Sequence, residues 1–140
     1  MASIHNDIRA ALETELSTVP GLPSIAYENV TFNPVTGQSF MSCRYIPTLR
    51  RPAVRGLNPQ QRYDGVFAVI AHAPEGNGPA VADDLANKVT EAFEATTKIQ
   101  YTNTDLETIT VSIDYAERQQ GFVDSPWYYV PINIGWYIYK

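Results

Sequence analysis

The chain has 140 residues, a formal net charge of −5 and a single cysteine, Cys43. This length fits one domain that builds its core without disulfides or metal. One cysteine excludes an intramolecular disulfide, and His5 and His72 are too far apart for the usual metal-ligand spacing. The N-terminus lacks a signal-peptide pattern, and no window holds the roughly 18 apolar residues of a membrane span. Composition therefore predicts a soluble, one-domain protein over residues 1–140, made without export and with no metal or cofactor site.

The charge is distributed unevenly along the chain. Residues 1–62 carry six basic and four acidic side chains, a balance of +2, whereas residues 63–140 carry four basic and eleven acidic ones, a balance of −7. Such an uneven charge distribution favours head-to-tail docking of copies, or docking of different partners on opposite sides. A solvated surface with a chance asymmetry is the alternative.

The chain begins with an amphipathic helix. Ser3 is a good N-cap residue, and the pair Pro20-Gly21 ends the helix. Its apolar side chains form one stripe at helical spacing: Ile4, Ile8, Ala11, Leu12 and Leu16. Residues 24–30 are predicted to be extended, although the segment is too short to classify.

A strand of period two is predicted over residues 38–47. The segment after it, 48–61, has two prolines, one glycine and three arginines without a consistent period. We expect a long basic loop or arm here, and loops of this length are usually functional or partly disordered. Its arginines suit either an acidic protein surface or nucleic-acid phosphate. The acidic balance of the whole chain favours a protein partner.

The next predicted strand, 62–73, contains the apolar run VFAVIA, which indicates a central strand buried on both faces. A turn over residues 75–78 precedes a second amphipathic helix, with Pro79 in its first turn. The apolar residues of this helix recur at i, i+3, i+4 and i+7: Ala82, Leu85, Ala86, Val89, Ala92 and Phe93.

Three more strands are predicted, at 98–101, near 107–117 and at 126–139. In the second of these, the apolar face comprises Ile109, Val111, Ile113 and Tyr115. The last strand is apolar on both faces, and its first face, with Ile132, Ile134 and Trp136, indicates core. The second face carries Trp127, Tyr129, Pro131, Asn133, Gly135, Tyr137 and Tyr139. This second face is predicted either to meet another molecule or to be covered by a helix of the same chain.

Together these elements predict an α+β fold. We expect a single, mostly antiparallel sheet with two main helices packed on it and a long loop between the second and third strands. Nothing in the sequence assembles a nucleophile, a base and oxyanion donors, so no catalytic residue is predicted. The candidate site is an interface with another subunit or a partner, formed by Arg50, Arg51, Arg55, Arg62, Trp127, Tyr129 and Tyr137.

The ordered set of elements resembles the tail terminator proteins of long-tailed bacteriophages, the siphophages. The segments that carry the resemblance are Tyr27-Glu28-Asn29-Val30 with Phe32, the strand ending near Pro47 with the arginine segment after it, Tyr63-Asp64-Gly65, Glu75-Gly76-Asn77-Gly78 before the helix, and the aromatic C-terminal strand. They cover nearly the whole chain.

The resemblance implies a structural virion protein of the tail and no enzyme. It implies a homo-oligomeric ring, typically a hexamer, that binds the last ring of tail tube protein, stops polymerisation and presents a surface to the head-tail connector or neck protein. It also implies synthesis in the host cytoplasm, no membrane partner, and a lumen through which DNA passes. A head-completion or neck adaptor is one alternative. A nucleic-acid-binding module that uses the basic arm is an alternative from another class.

Overall fold

The computed structural model describes residues 4–52, 56, 60–76 and 78–140. These residues form two helices and a seven-stranded sheet, which confirms the α+β class. In chain order the elements are α1 Ile4–Ser17, β1 Ile25–Ala26, β2 Phe40–Pro52, β3 Gln61–Pro74, α2 Ala80–Ala92, β4 Lys98–Thr102, β5 Thr108–Arg118, β6 Phe122–Asp124 and β7 Trp127–Tyr139.

The sheet has the strand order β1-β2-β3-β7-β5-β4, and β6 pairs with β7. The two-residue strand β1 runs parallel to β2, and the other described pairs are antiparallel. The strands β3 and β7 pair from Arg62 and Tyr139 at one end to Pro74 and Trp127 at the other. A mostly antiparallel sheet is therefore confirmed, and β3 and β7 form its centre.

Both helices pack on the same face of the sheet. Each buries the apolar stripe that its period of 3.6 residues predicts. Their buried residues join one cluster with alternate residues of the strands, including Met41, Val69, Val111 and Ile132. Removal of this apolar surface from water stabilises the fold by about 25 cal/mol per Å². Neither of the described helices covers the other face, which we call the open face.

The open face corrects one expectation about β3. Phe67, Val69 and Ala71 are buried on the helix side, whereas Val66 and Ile70 on the open face are only partly buried. The prediction that this strand is buried on both faces was wrong, because both helices lie on one side. For the same reason neither of the two described helices covers the second face of β7.

Strand β2 runs five residues further than predicted. It ends at Pro52, so residues 48–52 pair with β3 instead of forming a loop. Two prolines are tolerated because β2 lies at the edge, where β1 pairs only with Met41 and Ser42. The rest of the predicted loop or arm contains Arg55, which lies outside the described residues.

A β-bulge in β5 reverses the predicted alternation near its end. The pairing with β7 moves from Ile113 and Trp136 to Tyr115 and Gly135, which leaves Asp114 as the extra residue. The ring of Tyr115 then lies against Gly135 on the open face. Tyr115 was predicted to share a face with Ile113, and this was wrong because one inserted residue turns the following side chains over.

Candidate interaction surface

The open face is formed by the side chains of β2, β3 and β7 that alternate with those of the core. They are Phe40, Ser42, Arg44, Ile46, Arg62, Asp64, Val66, Ala68, Ile70, His72, Tyr129, Pro131, Asn133, Gly135, Tyr137 and Tyr139. Most of them are partly exposed. A contiguous apolar and aromatic surface of this kind is typical of an interaction site.

An aromatic cluster occupies one end of the open face. The ring of His72 stacks on Phe40, with centroids 4.0 Å apart and planes inclined by 5°, and it meets the edge of Tyr129 at 4.5 Å. Phe122 of β6 lies 5.1 Å from Tyr129, and Trp127 lies 5.1 Å from Phe40. Of the two candidates here, Trp127 is only 7% exposed. Within a single chain the cluster therefore covers Trp127 and leaves part of Tyr129 accessible.

His72 is held neutral within this cluster. Its Nε2 lies 2.9 Å from the hydroxyl of Ser42, and its buried Nδ1 has no hydrogen-bond partner among the described residues. Burial lowers the pKa of His72 to about 4. The strand register places Cys43 on the opposite face, where burial raises the pKa of its thiol to about 12. The arrangement therefore does not bring Cys43 and His72 together as a nucleophile and its base.

At the opposite end of the open face, Arg62 contacts one acidic and two aromatic side chains. Its Nε donates to a carboxylate oxygen of Asp64 at 2.7 Å, and its Nη1 donates to the hydroxyl of Tyr139 at 2.8 Å. The guanidinium carbon lies 4.5 Å from the ring centre of Tyr137 and 5.5 Å from that of Tyr139. The hydrogen bond with Asp64 raises the pKa of Arg62. These contacts hold the two tyrosines in place, so Arg62 shapes the surface from within its own chain.

The two described arginines of the predicted arm point to opposite sides of the β2–β3 hairpin, because neighbouring strand residues alternate. Arg51 pairs with Arg62, and its Nη2 lies 3.9 Å from the carboxylate of Asp64. Arg50 pairs with Tyr63 and places its guanidinium carbon 5.5 Å from that ring. The hairpin therefore presents positive charge on both of its sides.

Sequence reasoning did not include Phe40, His72 or Phe122 in the site. The sequence does show an aromatic residue near one end of each of the three strands that contain them. Only the strand register shows that the three ends lie next to each other. Among the described residues, no group of three or more His, Cys, Asp and Glu side chains is placed to hold a metal ion. In the same part of the chain, no helix has the length and apolar content to cross a membrane.

Comparison with known proteins decides which class of assembly is involved. A family model described as phage tail terminator protein matches residues 7–136. The chain belongs to this family. This confirms the resemblance seen in the sequence and identifies a structural component of the phage tail. Its interactions are therefore with the tube and head components of the virion.

Solved structures support the fold of this tail terminator. Nine chains of solved structures match it. One of them, which carries no functional name, has a TM-score of 0.73 and 23% identity, and the match covers 99% of this chain and 97% of its own. At this identity the likeness shows the fold alone. No curated protein matches the sequence.

Proposed function

We propose that this tail terminator forms a ring of six copies on the end of a siphophage tail tube. The ring stops polymerisation of the tube protein and provides the surface that the head-tail connector or neck protein joins. The protein is made in the host cytoplasm and is retained in the virion. The observation that carries the proposal is the open face, a partly exposed apolar surface at the centre of the sheet in a chain of the terminator family.

The open face has the composition of an interface. It combines an aromatic end around Tyr129 with a middle of small apolar residues such as Ala68 and Pro131. The far end adds Arg62 with its tyrosines, including Tyr137. Aromatic residues and arginine are enriched where protein surfaces meet. In the assembled tail this face therefore contacts a neighbouring subunit or the tube protein.

Charge supports protein partners over nucleic acid. The chain carries a net charge of −5, and Arg62 is already engaged by Asp64. An acidic protein is repelled by DNA phosphate except where basic side chains meet it locally. We assign Arg50, Arg51 and Arg55 to protein contacts, and contact with DNA in the lumen is confined to non-specific encounters.

The test is the length of tails made without this protein. Electron micrographs of particles from a phage that lacks the gene should show abnormally long tubes, and the wild-type gene supplied in trans should restore the normal length. Tails of normal length that fail to join heads would instead identify a neck adaptor.

Point variants then test the open face itself. The double variant Tyr129→Ala with Tyr137→Ala should fail to restore length control. Leu106→Ala is the matched control, since Leu106 is 84% exposed in the turn between β4 and β5 and lies outside the open face. Circular dichroism of both purified variants separates loss of the interface from loss of fold. If the folded double variant still limits tails to their normal length, the open face is not the surface that carries the function.

A further inference from the structure

We propose that the basic β2–β3 hairpin of one subunit docks in an acidic groove between α2 and β5 of a second copy of this chain. This inference rests on the proposed ring and names the contact that builds it. Four observations carry it: the shape of the groove, its charge, an unpaired strand edge beside it, and the position of the hairpin across the sheet.

The groove runs between the outer side of α2 and the last residues of β5. Two adjoining cavities of about 590 and 570 Å³ form it and share Asn87, Thr90 and Ala116. The residues common to both cavities are thus small or polar, and both cavities open to solvent. A groove lined in this way suits long polar side chains better than an apolar helix.

Acidic residues line both cavities. Along α2 and into the residues after it they are Asp83, Asp84, Glu91 and Glu94, and on β5 the acid is Glu117. The basic lining residue is Arg118, which is paired with Asp83. Lys88 of α2 donates to the carbonyl of Gly21 and does not line these cavities. The groove therefore carries net negative charge that the described part of the chain does not neutralise.

An unpaired strand edge borders the groove. Strand β4 pairs with β5 only over residues 108–112, and the backbone of Ile113 bonds to Thr96 and Thr97. Beyond Ile113 no described strand pairs with the outer edge of β5. Free carbonyl groups at such an edge accept hydrogen bonds from guanidinium, which offers five N–H donors in a fixed fork.

The hairpin supplies the matching charge from the opposite side of the sheet. Arg50 and Arg51 lie near the end of β2, and the side chain of Arg51 is 58% exposed. In the strand order, β2 and β5 lie on opposite sides of the central pair β3 and β7. Contact between two unlike surfaces on opposite sides of one subunit is heterologous, and repetition of such a contact closes a ring when the rotation between copies permits it. A second copy is therefore the occupant that the structure itself supplies.

The test is reciprocal charge reversal in the full-length protein. The hairpin variant carries Arg50→Glu with Arg51→Glu, and the groove variant carries Asp84→Lys, Glu91→Lys and Glu94→Lys, which turns the net charge of the lining from negative to positive. Alone, each variant presents like charges at every contact, so assembly should require roughly tenfold more protein or be lost. An equimolar mixture should regain the wild-type assembly, because native and reversed contacts then alternate around the ring. The mass of the assemblies is measured by light scattering at low salt, where charge contacts are screened least.

The control variant is Lys98→Glu with Asp105→Lys, which reverses two charges on β4 and the following turn and should leave assembly unchanged. Circular dichroism verifies that every variant is folded. In parallel, tail tubes are mixed with each variant and the number of capped tube ends is counted. This count detects assembly even if the ring forms only on the tube. Wild-type assembly by both single variants, or a folded mixture that stays unassembled, overturns the proposal.

The same measurements separate this contact from the proposed function. If wild-type rings form and show reciprocal rescue but do not limit tube length, the contact stands and the terminator role fails. If tubes are capped equally well by wild type and by both reversed variants, the terminator role stands and the contact fails.

Discussion

The indole of Trp136 lies over Gly65, its cross-strand partner on β3, in space that a Cβ atom at position 65 would occupy. Trp136 is only 2% exposed and stacks on Tyr45, with ring centroids 5.3 Å apart. The largest side chain of the core therefore fits only because a glycine stands opposite it.

Gly65→Ala should destabilise the protein by about 1–3 kcal/mol, the usual cost of overpacking a core. The added methyl group meets the indole and also the carbonyl oxygen of Ile46, 2.5 Å away. Trp136→Phe should reduce this cost, since the smaller ring leaves room and the indole Nε1 has no hydrogen-bond partner among the described residues to lose. A double-mutant cycle of urea unfolding measures the coupling, and additive effects would contradict the contact.

Trp136→Ala should cost about 3–5 kcal/mol, because it empties a buried aromatic site. Tyr139→Ala on the same strand is the control. Tyr139 is 46% exposed, and its loss should cost about 1 kcal/mol or less. Thermal unfolding compares the two variants with the wild type. An unchanged melting temperature for a cooperative Trp136→Ala protein would remove Trp136 from the core.

The stability should fall as the pH drops from about 6.5 to about 4. The unfolded chain protonates His72 near its ordinary pKa of 6.5, whereas the folded chain does so only near 4, so the unfolded state binds more protons in this window. The effect reaches at most about 3 kcal/mol at the acid end. His72→Gln should flatten this part of the curve of unfolding free energy against pH. An identical slope in wild type and variant would show that His72 does not titrate as the structure requires.

Asn103→Ala should destabilise the protein by about 1–3 kcal/mol, the penalty for buried polar groups without partners. The amide of Asn103 donates to the buried carboxylate of Asp7 at 3.1 Å and accepts from the backbone N–H groups of Asp105 and Glu107. Asn87→Ala is the control, because Asn87 is exposed and its side-chain amide donates to the carboxylate of Glu91 at the surface. Equal denaturant midpoints for the two variants would contradict this role.

Much of the fold follows from periodicity in the sequence. The stripe ending at Leu16 and the repeat from Ala82 to Phe93 predict both helices, since burial of one face sets a period of 3.6 residues. The inner face of β7 follows from a period of two. These patterns are local. The predictions made from them agree with the structure because each element buries its own apolar face.

The sequence patterns do not predict how the helices and strands are placed relative to one another. Pro47 and Pro52 indicate a loop in isolation, and only their position on an edge strand explains why β2 continues through them. The bulge at Asp114 has no local signature in the alternating pattern. The aromatic end of the open face depends on a register that brings Phe40, His72 and Tyr129 side by side. Register and helix placement are set by the whole core, so a scan along the chain misses them.

The two tryptophans of the chain stand on one strand but on its two faces. Trp136 lies in the helix-side core, whereas Trp127 lies against Phe40 at the aromatic end of the open face. The protein therefore contains two intrinsic fluorophores with separate surroundings. Emission from Trp136 follows the melting of the core, and emission from Trp127 follows coverage of the aromatic cluster by a neighbour. Substitution of either indole by phenylalanine leaves a single reporter, so unfolding and docking can be recorded apart without an added dye.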